Sequence, residues 1–259
     1  MRRVFTLALA VLACGAAARA QDERRVTSPD GQIEFRIFVT HPEPEALVRL
    51  AYRVSYRGRL LINTSFLGLE IHDQPLLGEN AGMIAAKTGA SAGSGAGYQS
   101  LTAEYMQNGS LGRRIDVEVR VYDDGLAFRY VVPPSGPLAR MSLENEATEF
   151  ELAEDGLTDP GRRPVTQIDP RAVLGLPFVA EQPGVGWISI SEVPAGTYPR
   201  MYLSRTEGKI LISRLPPGHD PWRLAWEGPT PLTGPWRVLA IGPTRASVTE
   251  SKLAERLQP

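Results

Sequence analysis

Apolar and polar residues alternate most regularly between Arg114 and Val132, in the stretch RIDVEVRVYDDGLAFRYVV. Ile115, Val117, Val119 and Val121 fall on one side, with Asp116, Glu118, Arg120 and Tyr122 on the other. After Asp123-Asp124-Gly125 the alternation resumes with Leu126, Phe128, Tyr130 and Val132 against Arg129. A period of two is that of a strand, so the stretch predicts two antiparallel strands joined by a tight turn. Asp-Gly suits such a turn because glycine takes a positive φ without a Cβ clash. A hairpin with one apolar face needs a second apolar layer, which points to a sandwich of antiparallel sheets.

The same period recurs along the chain. Residues 32–39 alternate through Ile33 and Phe35, and residues 47–56 through Val48, Leu50, Tyr52 and Val54, with turns at Ser28-Pro29-Asp30-Gly31 and Arg57-Gly58. Shorter strands are expected at 60–63, 67–71, 98–106, 187–192, 198–203, 209–213 and 236–241. In MSLENEATEFEL, Thr148, Phe150 and Leu152 alternate with Glu149 and Glu151, which favours a strand over an acidic helix. Between Gly78 and Gly97 the pattern collapses into glycine, alanine and serine, which predicts a long mobile loop, and residues 155–164 also read as loop. Only Ser247 to Leu257 has helical spacing.

Composition agrees with many short strands. The 259 residues include 25 glycines and 22 prolines, both disfavoured inside helices. Arg2 and Arg3 precede an apolar run from Val4 to Ala13 and a small-residue stretch ending Ala18-Arg19-Ala20, the pattern of a secretory signal peptide over residues 1–20. Two readings of that leader stay open. Cleavage after Ala20 would free a periplasmic or secreted protein beginning at Gln21, whereas Val11-Leu12-Ala13-Cys14 resembles a lipoprotein box that would anchor the chain through Cys14. The Ala-x-Ala site is the better formed. No later stretch approaches the roughly 20 apolar residues of a transmembrane helix. Residues 21–259 hold no cysteine and are expected to form one all-β domain. The 28 basic and 29 acidic residues are scattered, so nucleic acid is not expected as a partner.

Local patterns supply little chemistry. His41, His72 and His219 lie far apart, without metal-ligand spacing, and no serine sits in a GxSxG elbow. Asp123 and Asp124 suit a turn, and Glu144, Glu146 and Glu149 are expected on a solvated face. Glu192 differs, because it ends the apolar strand WISIS where the chain enters VPAGTYP, a position from which a ligand could be reached.

The segments SPDGQIEF, YRVSYRGRLLINTSFLGLEI, IDVEVRVYDDGLAFRYVVP, ATEFEL, WISISEVPAGTYPRMYL and PWRVLAIGPTRASVTESKL resemble, in order and spacing, the N-terminal domain of glycoside hydrolase family 97. The resemblance covers nearly all of residues 21–259. It implies a large twisted antiparallel β-sandwich of the super-sandwich type, which in the family precedes a catalytic (β/α)8 barrel in exported bacterial α-glucosidases and α-galactosidases, many of them calcium-dependent. The family's acid and base carboxylates belong to that barrel, and the sequence ends at Pro259, where the family would continue into it. Catalytic residues are therefore not expected here. The resemblance gives Glu192 one role, as a carboxylate that helps hold calcium at the joint with the barrel. Calcium takes six to eight oxygens, so Glu192 is expected to supply half a site at most.

Three functions remain open on this reading. The first is a non-catalytic, carbohydrate-associated accessory domain that pairs with a separately encoded barrel. The second is a fragment of a calcium-dependent α-glycosidase, active only with its barrel. The third is a freestanding sugar-binding module that uses Trp222, Trp226 and Tyr198 as stacking platforms, against the simpler expectation that these rings pack in the core or at its edge.

Overall fold

The structure, a computed structural model, describes residues 23–92, 97–109 and 112–258. The expected leader at 1–20, with Cys14, lies outside them, as does Gln21.

Among the described residues, nineteen strands and two short α-helices follow one another. β1 (Arg24–Thr27), β2 (Ile33–Thr40), β3 (Arg49–Tyr56) and β4 (Arg59–Phe66) form a four-stranded antiparallel meander, turned at the Arg57-Gly58 step anticipated above. β5 (Leu69–Ile71) leads to β6 (Ala81–Ser91), β7 (Tyr98–Gln107), β8 (Arg114–Tyr122) and β9 (Gly125–Val132). β10 (Arg140–Glu146), β11 (Glu149–Glu151), β12 (Leu157–Asp159), β13 (Phe178–Gln182) and β14 (Gly186–Val193) come next. The chain closes with β15 (Tyr202–Arg205), β16 (Ile210–Arg214), β17 (Trp226–Pro229), β18 (Leu232–Thr233), β19 (Trp236–Gly242), α1 (Arg245–Thr249) and α2 (Leu253–Arg256).

The dominant sheet has nine strands in the order β12-β13-β14-β19-β9-β8-β7-β6, with β18 also paired to β9. Two three-stranded sheets, β17-β10-β5 and β11-β16-β15, complete the second layer beside the meander. The predicted hairpin lies at the centre of the large sheet, with Val119 opposite Phe128 and Val121 opposite Leu126. Its alternation works as expected. Ile115 to Val121 and Leu126 to Val132 turn their apolar side chains into the main core, where Phe128 meets Tyr52 at 5.2 Å and Phe150 at 6.4 Å between ring centroids.

Gly125 is required twice over. It has φ +151°, and a Cβ there would sit 2.3 Å from the Leu239 carbonyl oxygen of neighbouring β19. The outer face of the large sheet is not left bare. Thr244 caps α1 in a reciprocal capping box with Ser247, and Leu253 and Leu257 pack on Tyr122, Trp236 and Val238.

Two expectations need correction. Residues 78–97 are not simply a loop: β6 runs 11 residues and pairs with β7 from Ala81 opposite Gln107 to Ser91 opposite Tyr98. Small side chains hid it, because an edge strand held by its ladder needs no alternating apolar face. Residues 93–96 of that stretch lie outside the described residues. Within 155–164, Leu157–Asp159 forms β12, the opposite edge of the same sheet.

Candidate functional site

Where β14 and β19 pair, Glu192 stands directly opposite Arg237. Arg237 occupies the same side of its strand as Leu239 and Ile241, so its register carries it into the core, where it is fully buried. An isolated guanidinium there would be prohibitively costly, and two carboxylates offset it. Arg237 Nε donates to Glu146 Oε1 at 2.8 Å, its Nη2 donates to Glu146 Oε2, and its Nη1 donates to Glu192 Oε2 at 2.6 Å.

Glu146 was expected on a solvated face with Glu144 and Glu149, and the structure overturns this. The pairing of β10 with β5 shifts register between Leu143 and Asn145, so Glu146 turns inward beside Arg237 while Glu144 stays exposed. Thr148 Oγ1 donates to Glu146 Oε1 at 2.7 Å and the Tyr198 hydroxyl donates to Oε2 at 3.0 Å. Tyr130 extends the network to Thr148 at 2.7 Å. Burial alone would raise the Glu146 carboxyl, but the charge of Arg237 and the bonds from Arg237, Thr148 and Tyr198 outweigh it and hold the group below its usual range. Burial and the Glu146 charge push the Tyr198 hydroxyl well above the ordinary tyrosine range, so it stays a neutral donor.

Glu192 itself is expected at a strand end within reach of a ligand. Its side chain is instead 1% exposed. One oxygen, Oε2, is committed to Arg237 and to the Met201 amide at 3.2 Å. The other, Oε1, has Arg200 Nε 3.1 Å away, yet the angles do not make a hydrogen bond and Oε1 is a buried acceptor without one. Arg200 is 69% exposed, so its hold on this buried oxygen is weak. Glu192 and Arg200 line a cleft of about 300 Å³ together with Ser189 and Ser191.

The aromatic candidates separate. Tyr198 is buried with its hydroxyl bound to Glu146, so it cannot serve as an open platform. Trp226 is half-buried, stacks on Tyr198 at 6.5 Å and donates from Nε1 to Thr197. Trp222 alone is open, at 63% exposure, beside the His72 ring at 5.9 Å. Among the described residues no group of three or more His, Cys, Asp or Glu side chains could hold a metal ion, and no helix is long and apolar enough to cross a membrane.

Known proteins share this fold. The chain is 23% identical to a retaining alpha-galactosidase of Bacteroides thetaiotaomicron over 256 residues, which is 86% of this chain and 36% of that enzyme. Its fold superposes with TM-score 0.78 and 19% identity on a glycoside hydrolase family 97 enzyme of Pseudoalteromonas sp. strain K8 in complex with panose, covering 91% of this chain and 38% of that one. A beta-arabinopyranosidase matches with TM-score 0.72 and 20% identity over 85% of this chain and 40% of its own. The chain thus spans little more than a third of the length of these relatives. Residues 26–259 match the glycosyl-hydrolase 97 N-terminal family, and the chain belongs to that family.

Proposed function

We propose that this chain is a non-catalytic accessory domain of an exported, carbohydrate-degrading system, and that it docks on a catalytic (β/α)8 barrel. The observation that carries the reading is the divided state of Glu192. Arg237 fixes one oxygen in the core while the other stays without a hydrogen bond at the wall of a cleft. A carboxylate held in this way is pre-positioned for a further cation. Calcium fits it only in part, because Glu192 supplies one of the six to eight oxygens the ion takes, Glu146 is committed to Arg237, and the described residues bring no group of three or more His, Cys, Asp or Glu side chains together. When bound, the ion would draw its remaining oxygens from the partner and displace the exposed guanidinium of Arg200. Glycoside cleavage needs two carboxyl groups flanking the scissile bond, and those of this site are locked on Arg237.

The test is a calorimetric calcium titration of the wild type and Glu192→Gln, each alone and with the candidate barrel. The isolated domain is expected to bind calcium poorly. With the barrel, the wild type binds and the variant loses most of that affinity. Equal behaviour of the two proteins with the barrel removes the metal role. Hydrolysis of aryl α-glucosides or α-galactosides by the purified domain, abolished by one carboxylate substitution, removes the accessory reading as a whole.

A second reading, a freestanding sugar-binding module, is favoured by one residue only, the open ring of Trp222. Loss of oligosaccharide affinity in Trp222→Ala is its test.

A further inference from the structure

The outer face of the nine-stranded sheet carries a second constellation, separate from the Glu146–Arg237–Glu192 cluster. Arg120 of β8, Arg129 of β9 and Trp236 of β19 stand beside a cleft of about 430 Å³, lined also by Val193, Pro194 and Pro235 and by Leu257 and Gln258 after α2. That volume lies within the range of small-molecule sites. The alternation that sends Val119, Val121 and Phe128 inward sends the two arginines outward, onto adjoining strands. Trp236 holds both. The Arg129 guanidinium lies 4.3 Å from its ring centroid and that of Arg120 lies 4.9 Å from it, while Tyr98 sits 5.1 Å from Arg120 as well.

The two cations differ in their charge partners. Arg129 is paired with Glu118 at 2.7 Å and is close to neutralised. No carboxylate of the described residues lies within the 4.0 Å of an ion pair from Arg120. A guanidinium laid over aromatic rings keeps the N–H donors at its edge and loses little freedom when it binds, because its orientation is already fixed. Arg120 also hydrogen-bonds the Tyr122 hydroxyl, so the cleft presents one pre-oriented positive charge whose remaining donors have no carboxylate of the described residues within ion-pair distance.

We infer that this cleft is a carboxylate-binding site, with Arg120 as the primary donor. The chemistry fits the carboxylate of a uronic acid or that of an acidic side chain on a docked protein. A neutral sugar lacks the charge the site selects. The inference is independent of the metal role of Glu192 and survives its failure.

The experiment titrates the protein calorimetrically with glucuronate, with N-acetylglutamate and with glucose, in the wild type, Arg120→Gln and Arg120→Lys. At least one carboxylate is expected to bind where glucose does not. Arg120→Gln should raise its Kd about tenfold or more, the loss of a charge-assisted pair, and Arg120→Lys should fall between because it keeps the charge without the fork. Tighter glucuronate binding assigns the site to sugar acids, and tighter N-acetylglutamate binding assigns it to an acidic side chain; either supports the inference. Carboxylates that bind no better than glucose overturn it. So does an affinity unchanged in Arg120→Gln and Arg120→Lys when circular dichroism shows the sheet intact.

Discussion

Arg237 and Glu146, 91 residues apart in the chain, meet as a two-pronged ion pair with both side chains 1% exposed. Glu192 adds a third charge from the neighbouring strand, so the core holds two carboxylates on one guanidinium. A pair this deep does not add much stability by itself, since desolvation offsets the Coulomb attraction. Removing one member is another matter. Arg237→Met should leave Glu146 and Glu192 buried without a counter-ion and cost about 3–5 kcal/mol. The unfolding midpoint in urea measures it. A loss below about 1 kcal/mol would mean that water reaches the cluster.

The same cluster sets a pH dependence. The folded Glu146 carboxyl titrates below its usual value of 4.5, so the native state binds fewer protons than the unfolded chain in that range. Its contribution is fully present above about pH 4.5 and disappears as the pH falls through the folded value. Urea midpoints of the wild type should therefore decline more steeply below that point than those of Glu146→Gln. Parallel curves for the two proteins from neutral pH to acid would refute the assignment.

Gly125 offers a test of the sheet rather than of the charges. Alanine there meets both an unfavourable φ and the backbone of β19, where a clash of 2.3 Å cannot be relieved by rotating a side chain. Gly125→Ala should cost about 3 kcal/mol or more, from strain and forced strand separation together. Thermal unfolding reads it directly. A variant as stable as the wild type would show that β9 and β19 are not this close.

The aromatic residues should divide along the same line as their burial. Tyr198→Phe removes a donor from buried Glu146 and should cost about 1–2 kcal/mol. Trp222→Ala, at an exposed position, should change stability by less than about 0.5 kcal/mol. Chemical denaturation of both variants decides it, and a reversed ranking would contradict the geometry.

How far the fold could be read from sequence followed its physics. The β8–β9 hairpin was legible because one wet face and one buried face leave a period of two in the residues themselves. β6 left no such trace, since Ala, Gly and Ser line an edge that its ladder to β7 holds regardless of side chain. The site was legible only in part. Glu192 was singled out by its place at the end of an apolar strand, but nothing local distinguishes Glu146 from Glu144. The register shift that turns Glu146 inward depends on the partner strand β5, which sequence spacing does not report. Arg237 carries a local signal of its own: it lies in phase with Leu239 and Ile241 within a strand of seven buried residues, which marks a core cation in search of carboxylates.

The place of β19 in the large sheet also governs when the molecule can form. This strand, Trp236–Gly242, is made last yet lies in the interior of the sheet, between β14 and β9. A growing chain that has not reached it holds two facing strands with open ladders and two carboxylates without their guanidinium. The large sheet therefore cannot close until nearly all of these residues have been synthesised, and the ladders that then form join residues 43 to 115 positions apart, the topology of a slow folder. Until that moment β14 and β9 each keep an unpaired edge, the kind of surface that aggregates or is captured by a chaperone.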